Sequence, residues 1–307
     1  MGYLTEVSAA RGKSMALVLL LACLWGSGYA LTKIAVETLS PLTVSAIRAL
    51  GGGLVLAALL GPRLRLLWAS SAGAGVFVVQ AAFNCVLPWL LVAWASRTID
   101  SGLATILNSL SPIFIFAIMW AIGREPAAGR KLFGVTLGFA GVLAIIGINA
   151  IRGLGSHTAA ELACVVGAIS YAIAGVMGRR FAQVHPMVPA AGATLMSAFF
   201  LVPIALMVDG LPVDASFRSL VAATALALLS TGLAFVVYFH LIATIGPVAM
   251  SSQAYLRIVI GVGIGAAFLG ETPTLGMGVG MVLIVIAIVA MTLPARTAPP
   301  QIRGSNA

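Results

Sequence analysis

MALVLLLACLWGSGYALTK, residues 15–33, is an unbroken apolar run that ends in a cation, and AAELACVVGAISYAIAGVMG, residues 159–178, repeats its plan before Arg179. A run of about 20 residues spans the hydrocarbon core of a bilayer as a helix. Sliding the whole chain by 146 positions sets Trp25-Gly26-Ser27-Gly28-Tyr29-Ala30 on Tyr171-Ala172-Ile173-Ala174-Gly175-Val176. The same offset sets Lys33 on Arg179, Gly123-Arg124-Glu125 on Leu269-Gly270-Glu271, and Gly134 on Gly280. Identity is weak, yet one offset serves from the first helix to the last.

Composition agrees with the membrane reading. Of 307 residues 61% are apolar and 8% charged, and the mean hydropathy is +1.12. A soluble domain carries about 25% charged residues, so an ordinary cytosolic enzyme, a nucleic-acid binder and a disordered chain are excluded. The net charge of +9 is written in short loops, which is how membrane topology is set rather than how nucleic acid is bound. An outer-membrane barrel would need segments of about 10 alternating residues. Cys23, Cys85 and Cys164 fall in separate apolar segments without metal-ligand spacing, and read as small buried apolar residues.

Ten apolar segments follow: 15–33, 41–60, 71–94, 101–122, 131–149, 159–178, 187–208, 219–243, 247–269 and 274–293. Leu20-Leu21-Ala22-Cys23 loosely resembles a lipoprotein cleavage site, but the repeat needs this first helix in place. With the N-terminus cytoplasmic, Arg11, Lys13, Arg63, Arg65, Arg124, Arg130, Lys131, Arg179, Arg180, Arg296 and Arg303 fall inside. Lys33, Arg97, Arg152 and Arg218 fall outside, and Arg48 and Arg257 lie within spans. This bias puts both termini inside. The expected organisation is a cytoplasmic tail 1–14, a first repeat 15–149, a second repeat 150–293 and a cytoplasmic tail 294–307, with both tails polar and mobile.

Five helices per half is an odd number, so the second half enters the membrane from the opposite side. The fold class expected is an all-α integral membrane protein of ten helices in two inverted five-helix repeats. Such halves rock to expose a central site alternately to each side, which points to a transporter.

The residues also carry a resemblance. Leu24-Trp25-Gly26-Ser27, then Lys33, Pro41 and Arg48, resembles the opening of an EamA-domain protein of the drug/metabolite transporter superfamily. So does the run from Ser101 through Asn108 and Pro112 to Glu125, with Gly134, Gly138 and Gly141 after it. The second half is similar at Gly246-Pro247-Val248-Ala249, Glu271 and Gly276-Gly280. The likeness covers about 15–293 and departs where the first half has Ser111-Pro112 and the second Arg257-Ile258, since the family more often has proline there. It implies a multi-pass protein of the bacterial inner membrane that moves small organic metabolites, with export favoured by the resemblance alone.

Polar groups inside a membrane are costly and usually face a cavity. Arg257 lies ten residues after Pro247, so about 15 Å into its span, and all eight acids lie at span ends, in loops or in tails. An unpaired guanidinium at that depth suits a carboxylate. Gln253 shares its helix face. Gln80 and Asn84 form a second such pair, loosened one turn later by Pro88, and Asn108 with Ser109 precedes Pro112. Repeat symmetry makes Trp25 and Tyr171 an aromatic pair flanking the site. Trp89, Trp94, Tyr238 and Tyr255 are weaker candidates, with Trp94 and Tyr238 expected in the interfacial belt. Arg48 reads as snorkelling or bonding between helices. His240 is the candidate for proton coupling. Glu125 and Glu271 read as capping groups.

Gly261-Val262-Gly263-Ile264-Gly265 lies in an apolar helix and lacks the strand a dinucleotide loop needs. Gly261/Gly265, Gly134/Gly138 and Gly276/Gly280 read as close helix contacts, within one chain or between copies as in a homodimer. No catalytic, metal, cofactor or ATP-binding constellation is visible, so transport must run on a gradient. The reading is a secondary transporter exporting amino acids or related carboxylate-bearing compounds. The alternative is uptake of a larger planar metabolite such as a flavin or nucleotide derivative. A non-transporting membrane protein or membrane enzyme is the remote third.

Overall fold

A backbone in hydrocarbon has no water to bond to and closes its hydrogen bonds within helices; the described residues form helices and no strand. The computed structural model describes the backbone of residues 2–69, 73–126, 129–146, 156–181, 185, 187–238, 240–241, 244 and 253–292, without the side chains of 2–12, 68–69, 73–74, 145–146, 156–157, 179–180, 254–255 and 291–292. Pro247, the tail 294–307 and the side chains of Arg179 and Tyr255 therefore lie outside the described residues.

The first half contains α1 (Gly2–Ala35), α2 (Pro41–Leu60), α3 (Gly73–Ala81), α4 (Leu87–Ala95), α5 (Ser101–Asn108), α6 (Ser111–Ala121) and α7 (Gly129–Ile146). The second contains α8 (Ser156–Met177), α9 (Met187–Val208), α10 (Phe217–Ala227), α11 (Gln253–Phe268) and α12 (Leu275–Thr292). Among the described residues seven stretches are long and apolar enough to cross a membrane: Lys13–Ala35, Pro41–Arg65, Gly75–Ala95, Ser101–Ala121, Thr158–Met177, Met187–Val208 and Phe217–Tyr238. The other three expected spans overlap α7, α11 and α12, where Leu256–Phe268 and Leu275–Ala290 are shorter apolar helices. Residues 2–14 continue α1, because no proline interrupts them and Glu6, Ala9, Ala10 and Arg11 are good helix formers.

The bundle is apolar on its outside. Phe199 is 70% exposed, Met207 85% and Leu275 86%, a distribution that fits lipid and not water. Cys85 and Cys164 are buried as expected, but Cys23 faces outward. The interior uses small residues, which let helix backbones approach. α2 packs on α9, α1 on α10 and α11, α4 on α8, and α7 on α12. At the crossing of α1 and α11 a Cβ on Gly26 would lie 3.2 Å from the Arg257 carbonyl oxygen. One on Gly261 would lie 2.6 Å from Thr105 Oγ1. Gly261 thus serves a contact inside this chain.

Three spans are not regular. Ala82–Val86 and Leu228–Leu233 are wide π-helical turns, and their starts are 146 residues apart. The first has a visible cause: Pro88 has no N–H to give the carbonyl four residues back, at Asn84. The second contains Thr231, whose hydroxyl donates to the Leu226 carbonyl at 3.3 Å. Pro112 breaks the fourth span between α5 and α6 in the same way, and the Ser111 hydroxyl donates to the freed Asn108 carbonyl at 2.9 Å.

One end of the bundle is tied by Glu271. Its carboxylate accepts from the backbone N–H of Ser101 at 2.7 Å, the Ser101 hydroxyl at 3.1 Å and the Gly102 N–H at 3.0 Å. Lys33 Nζ stands 3.5 Å from it and 3.1 Å from Asp100. An acid here meets the positive end of α5, so Glu271 caps a helix of the other half. Glu125 pairs instead with Lys131.

Bonds to a charged group contribute about 1.5–3 kcal/mol each. Glu271→Gln is therefore expected to lower stability by about 2 kcal/mol. Asp100→Asn, at a carboxylate 42% exposed, should cost under about 1 kcal/mol. Melting of the purified variants in detergent checks this; equal shifts would contradict the capping role.

Candidate functional site

A cavity of about 660 Å³ lies between the halves, within the usual range for small-molecule sites. Its wall takes residues from both: Trp25 and Tyr29 from α1, Arg48 from α2, Tyr171 from α8, and Gln253 and Arg257 from α11. The irregular segments contribute the rest of the polar lining. Gln80 and Asn84 come from the first wide turn and the helix before it, Asn108 from the break before Pro112, and Ser230 from the second wide turn.

All seven residues expected at a binding site, Trp25, Gln80, Asn84, Asn108, Tyr171, Gln253 and Arg257, line this one cavity. His240 does not; it is exposed. The repeat offset is visible in the wall. Trp25 and Tyr171, Asn84 and Ser230, Trp89 and Phe235, and Ser111 and Arg257 are each 146 positions apart, and every one of them lines the cavity.

The polar groups here are incompletely paired. Gln80, Asn108 and Gln253 are buried to within 9% exposure. Among the described residues the buried side-chain atoms without a hydrogen-bond partner are Gln80 Oε1, Asn108 Nδ2, Gln253 Oε1 and Arg257 Nε. All four belong to the wall. A buried polar atom left unpaired costs about 1–3 kcal/mol, so the wall calls for water or a ligand. Arg257 Nη2 donates to Ser109 Oγ at 3.1 Å, a bond that fixes the guanidinium without neutralising it. Arg257 is also deep. Gly265, eight residues on, abuts Ser101 and Glu271 at the tied end, which leaves Arg257 about 12 Å from that end.

Arg48 bonds between helices, as expected, through Nε to Thr231 Oγ1 at 3.0 Å. It also lies over the Trp89 ring, 4.3 Å from its centroid, and faces the cavity. Trp94 is 46% exposed, consistent with an interfacial belt. Tyr238, at the end of its span, also lines the cavity. It stacks on Trp25 at 5.4 Å, beside Phe235 at 6.3 Å from Trp25, and the three form an aromatic wall. Tyr29, Phe235 and Ser230 had not been singled out from sequence. The offset would have found the last two, through Trp89 and Asn84.

The cavity spans the depth of the bundle, with Thr32, next to Lys33, lining it near the tied end. Ala160 shares a cluster with Ile99, whose carbonyl accepts from Lys33, so this part of α8 is at the tied end. Gly178, eighteen residues on and about 27 Å away, lines the cavity with Phe181 and Pro189. The cavity therefore reaches the end opposite Lys33.

The EamA-like transporter family model matches the chain twice, over residues 12–147 and 158–293. The starts of the two copies are 146 residues apart. YedA of Escherichia coli, an uncharacterized inner membrane transporter, is 28% identical over 275 residues, which is 88% of this chain and 87% of that protein. YvbV of Bacillus subtilis, an uncharacterized transporter, is 24% identical over 276 residues, 89% of each chain. One crystal structure, at 19% identity, superposes with a TM-score of 0.64 over 91% of this chain and 96% of its own, a likeness of fold alone. With two matching copies covering most of its length, the chain belongs to the EamA-like transporter family.

Proposed function

We propose that this protein is a secondary transporter that exports a small carboxylate-bearing metabolite, amino acids among the class, across the bacterial inner membrane. The observation that carries the reading is the set of four buried, unpartnered polar atoms on one cavity wall between the two repeats. Arg257 would take the carboxylate bidentately, while Gln80, Asn84, Asn108 and Gln253 orient the rest and Trp25 and Tyr171 cover its apolar part.

The mechanism is alternating access. Units 15–149 and 150–293, of five helices each and inverted with respect to one another, rock about the shared cavity. The Lys33–Asp100–Glu271 cluster closes one side in this conformation, and the cavity reaches the other. The Lys and Arg bias makes the reached side cytoplasmic and puts both termini there, as an exporter needs for loading. Export itself rests on the family resemblance, and a gradient drives it. The aromatic wall of Trp25, Phe235 and Tyr238 supports a second reading, a larger planar substrate.

Two experiments test this. Alkaline phosphatase fused after Arg303 should be inactive and fused after Arg97 active; the reverse pattern would contradict the orientation. A thermal-shift screen of purified wild type and Arg257→Ala should compare amino acids and other carboxylates, their amine analogues, flavins and nucleotides. A ligand at 100 Kd adds about 2.7 kcal/mol of stability. The expected result is stabilisation by a carboxylate, lost with its amine analogue and in Arg257→Ala. Stabilisation that survives Arg257→Ala would make that arginine structural, and a flavin or nucleotide hit would favour the second reading.

A further inference from the structure

The cavity wall is one-sided in charge. Among the described residues its ionised side chains are Arg48 and Arg257, and no carboxylate lines it. The two arginines come from different halves, α2 and α11, and Tyr29 lines the same cavity as both. Each is held by a neutral hydroxyl, Thr231 for Arg48 and Ser109 for Arg257. The acids that the structure pairs are committed at the ends of the bundle. Glu271 and Asp100 hold Lys33, Glu125 holds Lys131, and Glu37 holds Arg218. Asp209 accepts from Ser40 and Thr43.

A membrane interior offers a cation neither much solvent screening nor cheap solvation, so each guanidinium on this wall favours an anionic partner. A ligand with one carboxylate neutralises one of them. A zwitterion neutralises one and adds an ammonium to a wall that already holds two cations. A ligand with two negative charges cancels both. The Trp89 ring lies 4.3 Å from the Arg48 guanidinium carbon, a cation–π contact, and a guanidinium's forked donors suit planar anionic groups. The amides of Gln80, Asn84, Asn108 and Gln253 share the same wall.

We infer that the substrate is a small organic dianion whose negative charge is shared between Arg48 and Arg257, and that Arg48 is a second specificity-determining residue. This rests on the reading of the cavity as the substrate site. It narrows the anionic ligand to compounds with two negative charges: dicarboxylates within the carboxylate class, or phosphate monoesters outside it.

The test is a thermal-shift titration of the full-length protein in detergent. The probes are succinate, glutarate and phenyl phosphate as dianions, butyrate and succinamate as monoanions, and alanine and glutamine as zwitterions. At least one dianion should bind at least tenfold more tightly than every monoanion and zwitterion. Arg48→Gln should weaken that dianion at least tenfold while leaving succinamate or butyrate within about twofold. Arg48→Lys, which keeps the charge but not the fork, should fall between, and serves where Arg48→Gln does not fold. Phenyl phosphate against glutarate separates the two sources of charge. Monoanions or zwitterions binding as tightly as every dianion, with Arg48→Gln without effect, would overturn the dianion inference and leave the carboxylate reading standing. No shift from any carboxylate or phosphate would overturn both.

Discussion

A polar group inside a bilayer has no water to fall back on, so it must bond to protein or face a space that water or a ligand can fill. That constraint accounts for most of this structure. It sends the acids to the ends of the bundle, where Glu271 caps α5 and Asp209 meets Ser40 and Thr43. It turns hydroxyls within helices back onto their own backbone, as Thr32 does onto Gly28 at 2.7 Å and Ser197 onto Ala193 at 2.7 Å. The exceptions are Gln80, Asn108, Gln253 and Arg257, and they converge on one cavity. An irregular scatter of unpaired groups would be a defect; convergence on one cavity is what the proposed binding site requires.

The broken helices belong to the same logic. A regular helix offers lipid no free carbonyl, so a wide turn or a break is tolerable only where it faces protein or a cavity. The turns at Ala82–Val86 and Leu228–Leu233 and the interruption before Pro112 each place a polar side chain, Asn84, Ser230 and Asn108, on the cavity wall. Proline explains two of these irregularities. The third occupies the repeat-equivalent position without a proline, which suggests that the geometry of the site, more than the residue that first allowed it, is what the two halves share.

Much of this was legible in the chain itself. Apolar run length gave the seven membrane-length spans seen among the described residues, because the bilayer fixes how long a helix must be. Arg257 stood out because a guanidinium ten residues from Pro247 has no short route to water, and the amides stood out by helical spacing. Periodicity does not tell which face of an apolar helix meets lipid and which meets the cavity. Tyr238, near a span end, was therefore assigned to the interface although it stacks on Trp25, and Cys23 was taken as buried although it faces outward. Arg48 read as a bond between helices, which it makes with Thr231; its place on the cavity wall does not show in its depth along the chain. His240, deep in sequence, is exposed in space and away from the cavity lining.

The central claim is that the unpartnered groups between the two halves are the partners of the substrate. A cryo-electron microscopy map of the protein with its best-stabilising anion at saturation tests that most directly. The account predicts ligand density between the halves, within hydrogen-bond distance of Arg257 Nε and of at least one amide among Gln80, Asn108 and Gln253. Density for the anion elsewhere, with those atoms bonded to one another or to ordered lipid, would contradict it.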